Sequence, residues 1–235
     1  MRKMDTLSKI KNGLIVSCQA RPGWAMHGPE IMAAFAVAAK QGGACAIRAT
    51  GRDNINAIKE KVDLPIIGIN KIFDPRYDVY ITPTFESAEE ILELGVDIIA
   101  LDATSRKRPN GEIVSEIITQ IRHEYPSTLI MAEISTIDEA FTALTYDIDL
   151  ISTTLSGYTK ESENIHHVNI DLIRDIVAIT DIPVIAEGKI ETIDEAISAL
   201  EAGAFSVVVG TSITRPEIIT SRYVNALDSY KGPNL

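Results

Sequence analysis

The sequence is poor in cysteine and in long apolar runs. Its two cysteines, Cys18 and Cys45, both lie in apolar stretches. This arrangement excludes a disulfide framework and indicates a reducing compartment. No apolar run approaches the roughly 18 residues that a membrane-spanning helix needs, and residues 1–12 lack the apolar segment of a signal peptide. The sequence therefore predicts a cytoplasmic protein without a membrane partner.

The sequence also has fewer basic residues than acidic residues. The 22 Lys and Arg residues face 33 Asp and Glu, which gives a formal net charge of −11. Nucleic-acid binding depends on a basic surface, so we expect no nucleic-acid partner. A small anionic ligand remains compatible with this charge, because a few cations focused in a cleft override the global sign at short range.

Short β-branched runs recur along the chain, and a helical stretch follows each of them. The runs are 14–18, 44–48, 65–69, 97–102, 129–133, 149–154, 183–187 and 206–210. Strands as continuously apolar as these are typical of a parallel sheet that is covered by helices on its faces. A further run, residues 78–82, indicates an extended piece inside the third strand-to-helix connection.

This alternation fits either an open doubly wound sheet or a closed barrel. No Gly-x-Gly-x-x-Gly turn follows the first run, which removes the main support for a dinucleotide-binding sheet. The expected fold class is α/β, a single (β/α)8 TIM barrel. We expect residues 1–235 to form one domain, with 1–12 as an N-terminal extension or helix and 230–235 as a C-terminal tail.

The helices carry their own signals. Residues 112–122 show an apolar stripe at helical spacing, which includes Ile113. Capping boxes are predicted at Ser87, Thr136 and Thr192, each followed three residues later by glutamate. The last two belong to near copies of one segment, and such self-similarity fits a barrel built from repeated units.

Polar side chains stand at or just after the carboxyl ends of the predicted strands, where barrel enzymes hold their catalytic groups. They are Gln19, Arg48, Lys71, Asp102, Glu133, Glu187 and Arg215. A charge at the end of an apolar strand is costly to bury unless it is paired, so their convergence on one rim predicts a site. Asp102 has two interpretations: it is catalytic, or it pairs with Arg48 or Lys71 to hold the rim together.

Two glycine turns predict a phosphate site of the kind that barrels place after strands 7 and 8. The residues concerned are Gly188, Lys189, Gly210, Thr211 and Ser212. Pro216 suits the first turn of a following helix, and the Arg215 guanidinium can add a bidentate contact to the anion. These turns make the barrel one of the phosphate-binding type.

The sequence resembles the N-acetylmannosamine-6-phosphate 2-epimerases of sialic acid catabolism, and the resemblance extends over nearly the whole chain. The matching segments are GLIVSCQ (13–19), AIRA (46–49), PIIGINK (65–71), VYITPT (79–84), ALDAT (100–104), RP (108–109), TTLSGYT (153–159), IAEG (185–188) and GTSITRP (210–216). Glu133 differs from the aspartate of many relatives, and residues 72–77 differ from their short Arg-Asp-Tyr stretch.

The resemblance implies roles for individual residues. Lys71 and Glu187 match the catalytic lysine and glutamate of the family. Gln19, Arg48, Glu133 and Arg215 match its substrate-contacting positions. Thr154 and Tyr158 lie in a matched segment and are further candidates for contacts with the substrate.

The implied reaction inverts C2 of a ring-opened N-acylmannosamine 6-phosphate by proton transfer, giving the N-acylglucosamine epimer. It requires a base tuned near neutrality and no metal, nicotinamide or flavin cofactor. One base could serve both faces of C2, or two residues could divide them. His166 and His167 lack a third metal ligand at recognisable spacing.

Three further expectations concern alternatives and partners. Another phosphate-binding barrel enzyme and a non-catalytic phosphosugar sensor are the competing functions. The expected small-molecule partner is a phosphorylated amino sugar. A homodimer is expected because dimers are the commonest soluble oligomers.

Overall fold

The computed structural model describes residues 2–230, with Arg2 described through its backbone alone. Its strands are β1 (Leu14–Cys18), β2 (Ala46–Thr50), β3 (Ile66–Ile69), β4 (Ile98–Asp102), β5 (Leu129–Glu133), β6 (Leu150–Ser152), β7 (Val184–Glu187) and β8 (Ser206–Val209). Its helices are α1 (Arg2–Ile10), α2 (Pro29–Gln41), α3 (Arg52–Lys61), α4 (Phe85–Leu92), α5 (Val114–Glu124), α6 (Ile137–Ala143), α7 (Ile170–Ile179), α8 (Ile193–Glu201), α9 (Thr211–Thr214) and α10 (Pro216–Asp228).

The strands form one closed parallel barrel in chain order. Closure is made by β1 against β8, where Leu14 lies opposite Val207 and Val16 lies opposite Val209. The predicted (β/α)8 barrel is therefore confirmed. Closure also brings the carboxyl ends of all the strands to one rim.

Apolar side chains pack on both sides of the strands. Ile15, Ile67 and Met131 belong to the fully buried cluster inside the barrel, and Ile10 of α1 joins the same cluster. Side chains such as Ile47 and Ile99 point to the helices instead. At Gly68 a Cβ would lie 2.5 Å from Cγ2 of Ile91, so the absence of a side chain lets α4 approach β3.

Strand β2 begins two residues later than the run 44–48 predicted. The chain leaves α2 through Gly43 at φ 92°, and the Ala44 N–H still donates to the carbonyl of Ala39. The strand therefore starts only at Ala46, and Arg48 lies in its middle, paired in register with Ser17. The prediction that Arg48 ends the strand is wrong.

The predicted extended run at 78–82 is confirmed as a short antiparallel bridge between Lys71 and Ile81. The Ile72 N–H donates to the carbonyl of Tyr80, and the Thr82 N–H donates to that of Asn70. This bridge folds the connection after β3 back over the rim.

Two of the three predicted capping boxes are confirmed, at Thr136 and Thr192. The third is wrong, because α4 begins three residues earlier: Thr84 is its N-cap, and Ser87 occupies the third position of the box. Ile113 lies just before α5 and is 54% exposed, so it does not share that helix's buried stripe.

The ends of the chain are only partly described. Residues 2–10 form helix α1, which settles the predicted N-terminal segment as a helix. Of the predicted tail, residues 231–235 lie outside the described part of the chain. Within residues 2–230, none of the helices combines the length and the apolar character that crossing a membrane requires.

Candidate active site

A cleft of about 770 Å³ opens at the rim where the strands end. Most of the predicted site residues line it: Gln19, Arg48, Lys71, Thr154, Tyr158, Glu187, Gly188, Lys189, Gly210, Thr211 and Arg215. They come from elements far apart in the sequence, and barrel closure brings them together.

Arg48 lies at the bottom of the cleft between two carboxylates. Its Nη2 is 2.5 Å from Oε1 of Glu133, and its Nη1 is 3.0 Å from Oε1 of Glu187. The Arg48 and Glu133 side chains are almost fully buried, and that of Glu187 is 11% exposed. A buried charge must be paired to be tolerated, so this arginine holds both acidic groups in place.

Glu187 reaches the cleft from the end of β7. Its Oε2 accepts a hydrogen bond from Oγ1 of Thr154 at 3.1 Å. Burial raises its pKa to about 7, against the opposing effect of Arg48. The carboxyl group therefore gains or loses a proton near neutrality, as a residue that handles protons should.

Lys71 follows β3 and projects beside the Tyr80 ring, with Nζ 5.9 Å from the ring centroid. Burial and then the positive charge of Arg48 lower its pKa to about 8, while Glu187 and Glu133 act in the opposite direction. The amine consequently exists in its neutral form to a useful extent near physiological pH, which an ordinary lysine does not.

The turn after β7 has an unusual backbone. Gly188 adopts φ 106°, and Lys189 is a non-glycine residue at φ 54°. A Cβ at Gly188 would lie 3.3 Å from the carbonyl oxygen of Thr154. The Lys189 Nζ lies 4.6 Å from the centroid of the Tyr158 ring, so this cation and this ring share one wall of the cleft.

The turn after β8 begins at Gly210, the N-cap of α9. The N–H groups of Ile213 and Thr214 donate to the Gly210 carbonyl. The first N–H groups of a helix have no acceptor within that helix. The N–H groups of Thr211 and Ser212 occupy this position, in a turn that borders the cleft through Gly210 and Thr211. Pro216 opens α10, as predicted.

Arg215 lines the same end of the cleft. Its Nε lies 2.7 Å from Oε1 of Glu217, and its Cζ lies 3.7 Å from the centroid of the Trp24 ring. The guanidinium is thus held against an aromatic face from the loop between β1 and α2.

Three predicted residues do not line the cleft. Glu133 is fully buried against Arg48, and the Ser212 hydroxyl is directed to the carbonyl of Ile190. Asp102 forms ion pairs with Arg106 at 2.5 Å and Arg108 at 3.6 Å. The expected pairing of Asp102 with Arg48 or Lys71 is wrong, because the loop after β4 folds back and supplies two closer arginines.

Several residues of the cleft wall escaped the sequence analysis: Ser17, Arg21, Phe73, Tyr80 and Arg222. Arg21, Phe73 and Tyr80 lie in loops or next to the short bridge. These segments lack the regular side-chain alternation of a strand, so the sequence does not predict which way their side chains point. Gln19 was predicted; its Nε2 donates to Ser17 Oγ at 2.6 Å, while its buried Oε1 has no hydrogen-bond partner among residues 2–230.

The His166–His167 pair is far from a metal-binding arrangement. His167 is exposed and lies 3.5 Å from Glu195. Within the described residues, no three His, Cys, Asp or Glu side chains are grouped so as to hold a metal ion.

A closed (β/α)8 barrel with a charged cleft at the carboxyl ends of its strands defines a class of protein, the TIM-barrel enzymes. Comparison with known proteins narrows this class. Residues 32–229 match the family described as "Putative N-acetylmannosamine-6-phosphate epimerase". The chain belongs to this family of carbohydrate epimerases, which are isomerases.

Individual relatives agree with this assignment. The chain is 47% identical over 233 residues to a Caldanaerobacter subterraneus protein described as "Putative N-acetylmannosamine-6-phosphate 2-epimerase", covering 99% of this chain and 98% of the relative. A Clostridium perfringens relative is 48% identical over 221 residues, covering 94% of this chain and 99% of the relative. The solved structure of the C. perfringens N-acetylmannosamine-6-phosphate 2-epimerase superposes with a TM-score of 0.90 at 47% identity, covering 94% of this chain and 95% of that one.

Proposed function

We propose that the protein interconverts N-acylmannosamine 6-phosphate and N-acylglucosamine 6-phosphate by proton transfer at C2 of the ring-opened sugar. The observation that carries the proposal is the presence of Lys71 and Glu187 in one cleft that Arg48 also lines, where burial lowers the pKa of Lys71 to about 8 and raises that of Glu187 to about 7. The identity of the substrate in this proposal is inferred from membership of the family.

Lys71 is the base of this proposal. Its neutral Nζ takes the proton from C2, the C2–H electron pair moves into the C1 carbonyl, and an enolate forms. A proton then returns to the opposite face of C2 and gives the epimer: in a one-base version the Lys71 ammonium returns it after the intermediate turns, and in a two-base version a second acid donates it and Lys71 releases its own proton to solvent. The positive charge of Arg48, together with that of the newly protonated Lys71, stabilises the enolate oxygen.

The two carboxylates have different parts. Glu187 reaches the cleft, so it contacts the substrate and moves a proton during ring opening. Glu133 is fully buried and faces Arg48, so it holds the guanidinium rather than the sugar. We therefore replace the predicted substrate contact of Glu133 by a positioning role.

The phosphate in this proposal is bound by the turns after β7 and β8 and by the cations that follow them. The backbone of Gly188, Gly210 and Thr211 and the cations of Lys189 and Arg215 all line the cleft. Thr154, Tyr158 and Gln19, whose Oε1 has no hydrogen-bond partner within residues 2–230, provide further contacts to the sugar. Asp102 and Ser212 support the loops around the site.

The test is to incubate the protein with N-acetylmannosamine 6-phosphate in heavy water and follow C2 by NMR. We expect the N-acetylglucosamine epimer to appear with deuterium at C2. Binding without label incorporation would indicate a phosphosugar sensor. An absence of binding would indicate another phosphate-binding barrel enzyme.

We also propose a homodimer. Helix α10 has no buried residue, and its Tyr223 and Leu227 are each 71% exposed. An apolar groove of about 380 Å³ runs beside α8, where Ile193 and Ile197 are exposed. Two such surfaces on one chain can bury each other across a two-fold axis, because each copy presents both.

The remaining expectations stay proposals. Cys18 and Cys45 are both free thiols, which supports a reducing compartment such as the cytoplasm. The net charge of −11 supports the absence of a nucleic-acid partner. The proposed reaction uses no cofactor, and a single domain over residues 1–235 remains the expected organisation.

A further inference from the structure

The mouth of the cleft contains a cation with unusual surroundings. The guanidinium of Arg21 lies over two aromatic rings, with Cζ 4.3 Å from the centroid of Phe73 and 5.5 Å from that of Trp24. Within residues 2–230, the Arg21 side chain has neither a carboxylate partner nor a hydrogen bond. Aromatic faces hold the plane of a guanidinium and leave the N–H groups at its edge free to bind.

Arg21 and Arg215 share one ring. The Cζ of Arg215 lies 3.7 Å from the centroid of Trp24, the ring that Arg21 also contacts. Two guanidinium groups on a single indole repel each other, and among residues 2–230 the carboxylate of Glu217 pairs with Arg215 and not with Arg21. The mouth therefore has an uncompensated positive charge that a dianion would neutralise.

The contact with Phe73 joins two loops. Arg21 comes from the loop between β1 and α2, and Phe73 from the loop between β3 and α4. Phe73 in turn stacks on Tyr80, with ring centroids 5.1 Å apart, and Tyr80 is the ring beside Lys71. One row of cations and rings thus extends from Arg215 to Lys71 across the cleft.

We propose that Arg21 is a substrate-binding residue that donates to the phosphate of the sugar together with Arg215, while Phe73 holds its guanidinium in place. The assignment rests on the proposed function for the identity of the sugar. It does not depend on that function for the anion, since the pair of cations defines an anion site by itself.

The test compares variants by calorimetric titration with N-acetylglucosamine 6-phosphate, inorganic phosphate and unphosphorylated N-acetylglucosamine. The variants are Arg21→Met, which removes the charge and keeps the length, and Phe73→Leu, which removes the ring. The matched control is Arg76→Met. Arg76 also lies over a ring, that of Tyr77 at 5.5 Å, but it does not line the cleft.

We expect Arg21→Met to raise the Kd of both phosphate compounds by about tenfold or more, since the anion loses a hydrogen bond from a charged group. The unphosphorylated sugar should bind as it does to the unaltered protein. Phe73→Leu should give a smaller rise in the same direction, and Arg76→Met should give none.

Two results would overturn the proposal. Arg21→Met could bind phosphate with unchanged affinity, or it could weaken binding of the phosphorylated and unphosphorylated sugars equally. The second result would mean that Arg21 shapes the loop without contacting the anion. Inorganic phosphate keeps the test independent of the epimerase activity, which the heavy-water experiment examines separately.

Discussion

At the scale of single residues, the site depends on one buried arginine and the carboxylates around it. Arg48 carries its charge at the bottom of the cleft with its side chain almost fully buried, and the charge is tolerated because Glu133 and Glu187 both contact it. Removing one member of such a group leaves an uncompensated buried charge. This lowers the free energy of unfolding far more than the loss of an exposed ion pair does.

This contrast gives a stability prediction. Arg48→Met should lower the free energy of unfolding by about 3–5 kcal/mol, because two buried carboxylates lose their partner. Arg52→Met, which removes an exposed pair with Glu93, should change it by less than about 1 kcal/mol. Urea denaturation of both variants is the measurement, and equal effects would contradict the buried-group account.

The lowered pKa of Lys71 gives a pH prediction. Lys71 accepts a proton only when neutral, so kcat/KM should rise with pH and level off above about 8. The negative charge of Glu187 raises this pKa, so Glu187→Gln should move the rise to lower pH while also lowering the maximal rate.

The measurement is the pH profile of kcat/KM for both proteins. If kcat/KM rises at the same pH in Glu187→Gln as in the unaltered protein, the charge of Glu187 does not affect the pKa of the group that controls the rise. That result would remove Lys71 from the role of base.

Most of the residues predicted from the sequence for the site line the cleft, but not all of their contacts were predicted. Lys71 and Glu187 follow apolar strands, and strand direction places such residues on one rim. The partners of Asp102 were not predictable in this way, because Arg106 and Arg108 reach it through a loop whose path has no periodic signal. Arg21 and Phe73 were missed for the same reason.

At the scale of elements, the helix boundaries follow local hydrogen bonding more than apolar pattern. Thr136 and Thr192 each accept a hydrogen bond from the N–H three residues on, and the carboxylates of Glu139 and Glu195 accept one from the backbone N–H of the same threonines. The capping box predicted at Ser87 does not form, because the helix begins three residues earlier and Thr84 is its N-cap. A motif read from sequence therefore locates a helix start only when no competing cap precedes it.

The caps give a second stability prediction. Thr136→Ala and Thr192→Ala should each lower the free energy of unfolding by about 1 kcal/mol, since each leaves a helix N–H without its acceptor. Thr119→Ala is the control, because Thr119 lies inside α5 and its exposed hydroxyl donates to the Ser115 carbonyl within the same helix. Thermal unfolding should show the control unchanged or slightly stabilised; a loss there equal to the other two would contradict the capping explanation.

At the scale of the whole molecule, the alternation of strands and helices left an open sheet and a closed barrel as alternatives, and the lack of a Gly-x-Gly-x-x-Gly turn after the first run favoured the barrel. Surfaces between copies were beyond the sequence. In the sequence, the apolar side chains of α10 have the pattern of an ordinary amphipathic helix that packs on the barrel. The structure shows that the barrel does not bury them.

The proposed dimer has a direct test by analytical ultracentrifugation. The unaltered protein should sediment as a dimer, and the double variant Tyr223→Asp and Leu227→Asp should sediment as a monomer, because charges replace apolar contacts. Ile113→Asp, at an exposed apolar position before α5, should remain a dimer. A monomeric unaltered protein, or a dimer that survives the double change, would contradict the assignment of this surface.

The central claim is that Lys71 moves the proton at C2, and exchange in heavy water tests it most directly. Lys71→Met keeps the aliphatic length beside Tyr80, and Lys107→Met is its control, since the Lys107 amine also lies near a ring, 5.7 Å from the centroid of Tyr77, but outside the cleft. We predict that Lys71→Met binds N-acetylmannosamine 6-phosphate without incorporating deuterium at C2, while Lys107→Met exchanges as the unaltered protein does. Deuterium incorporation by Lys71→Met at the rate of its control would contradict the account.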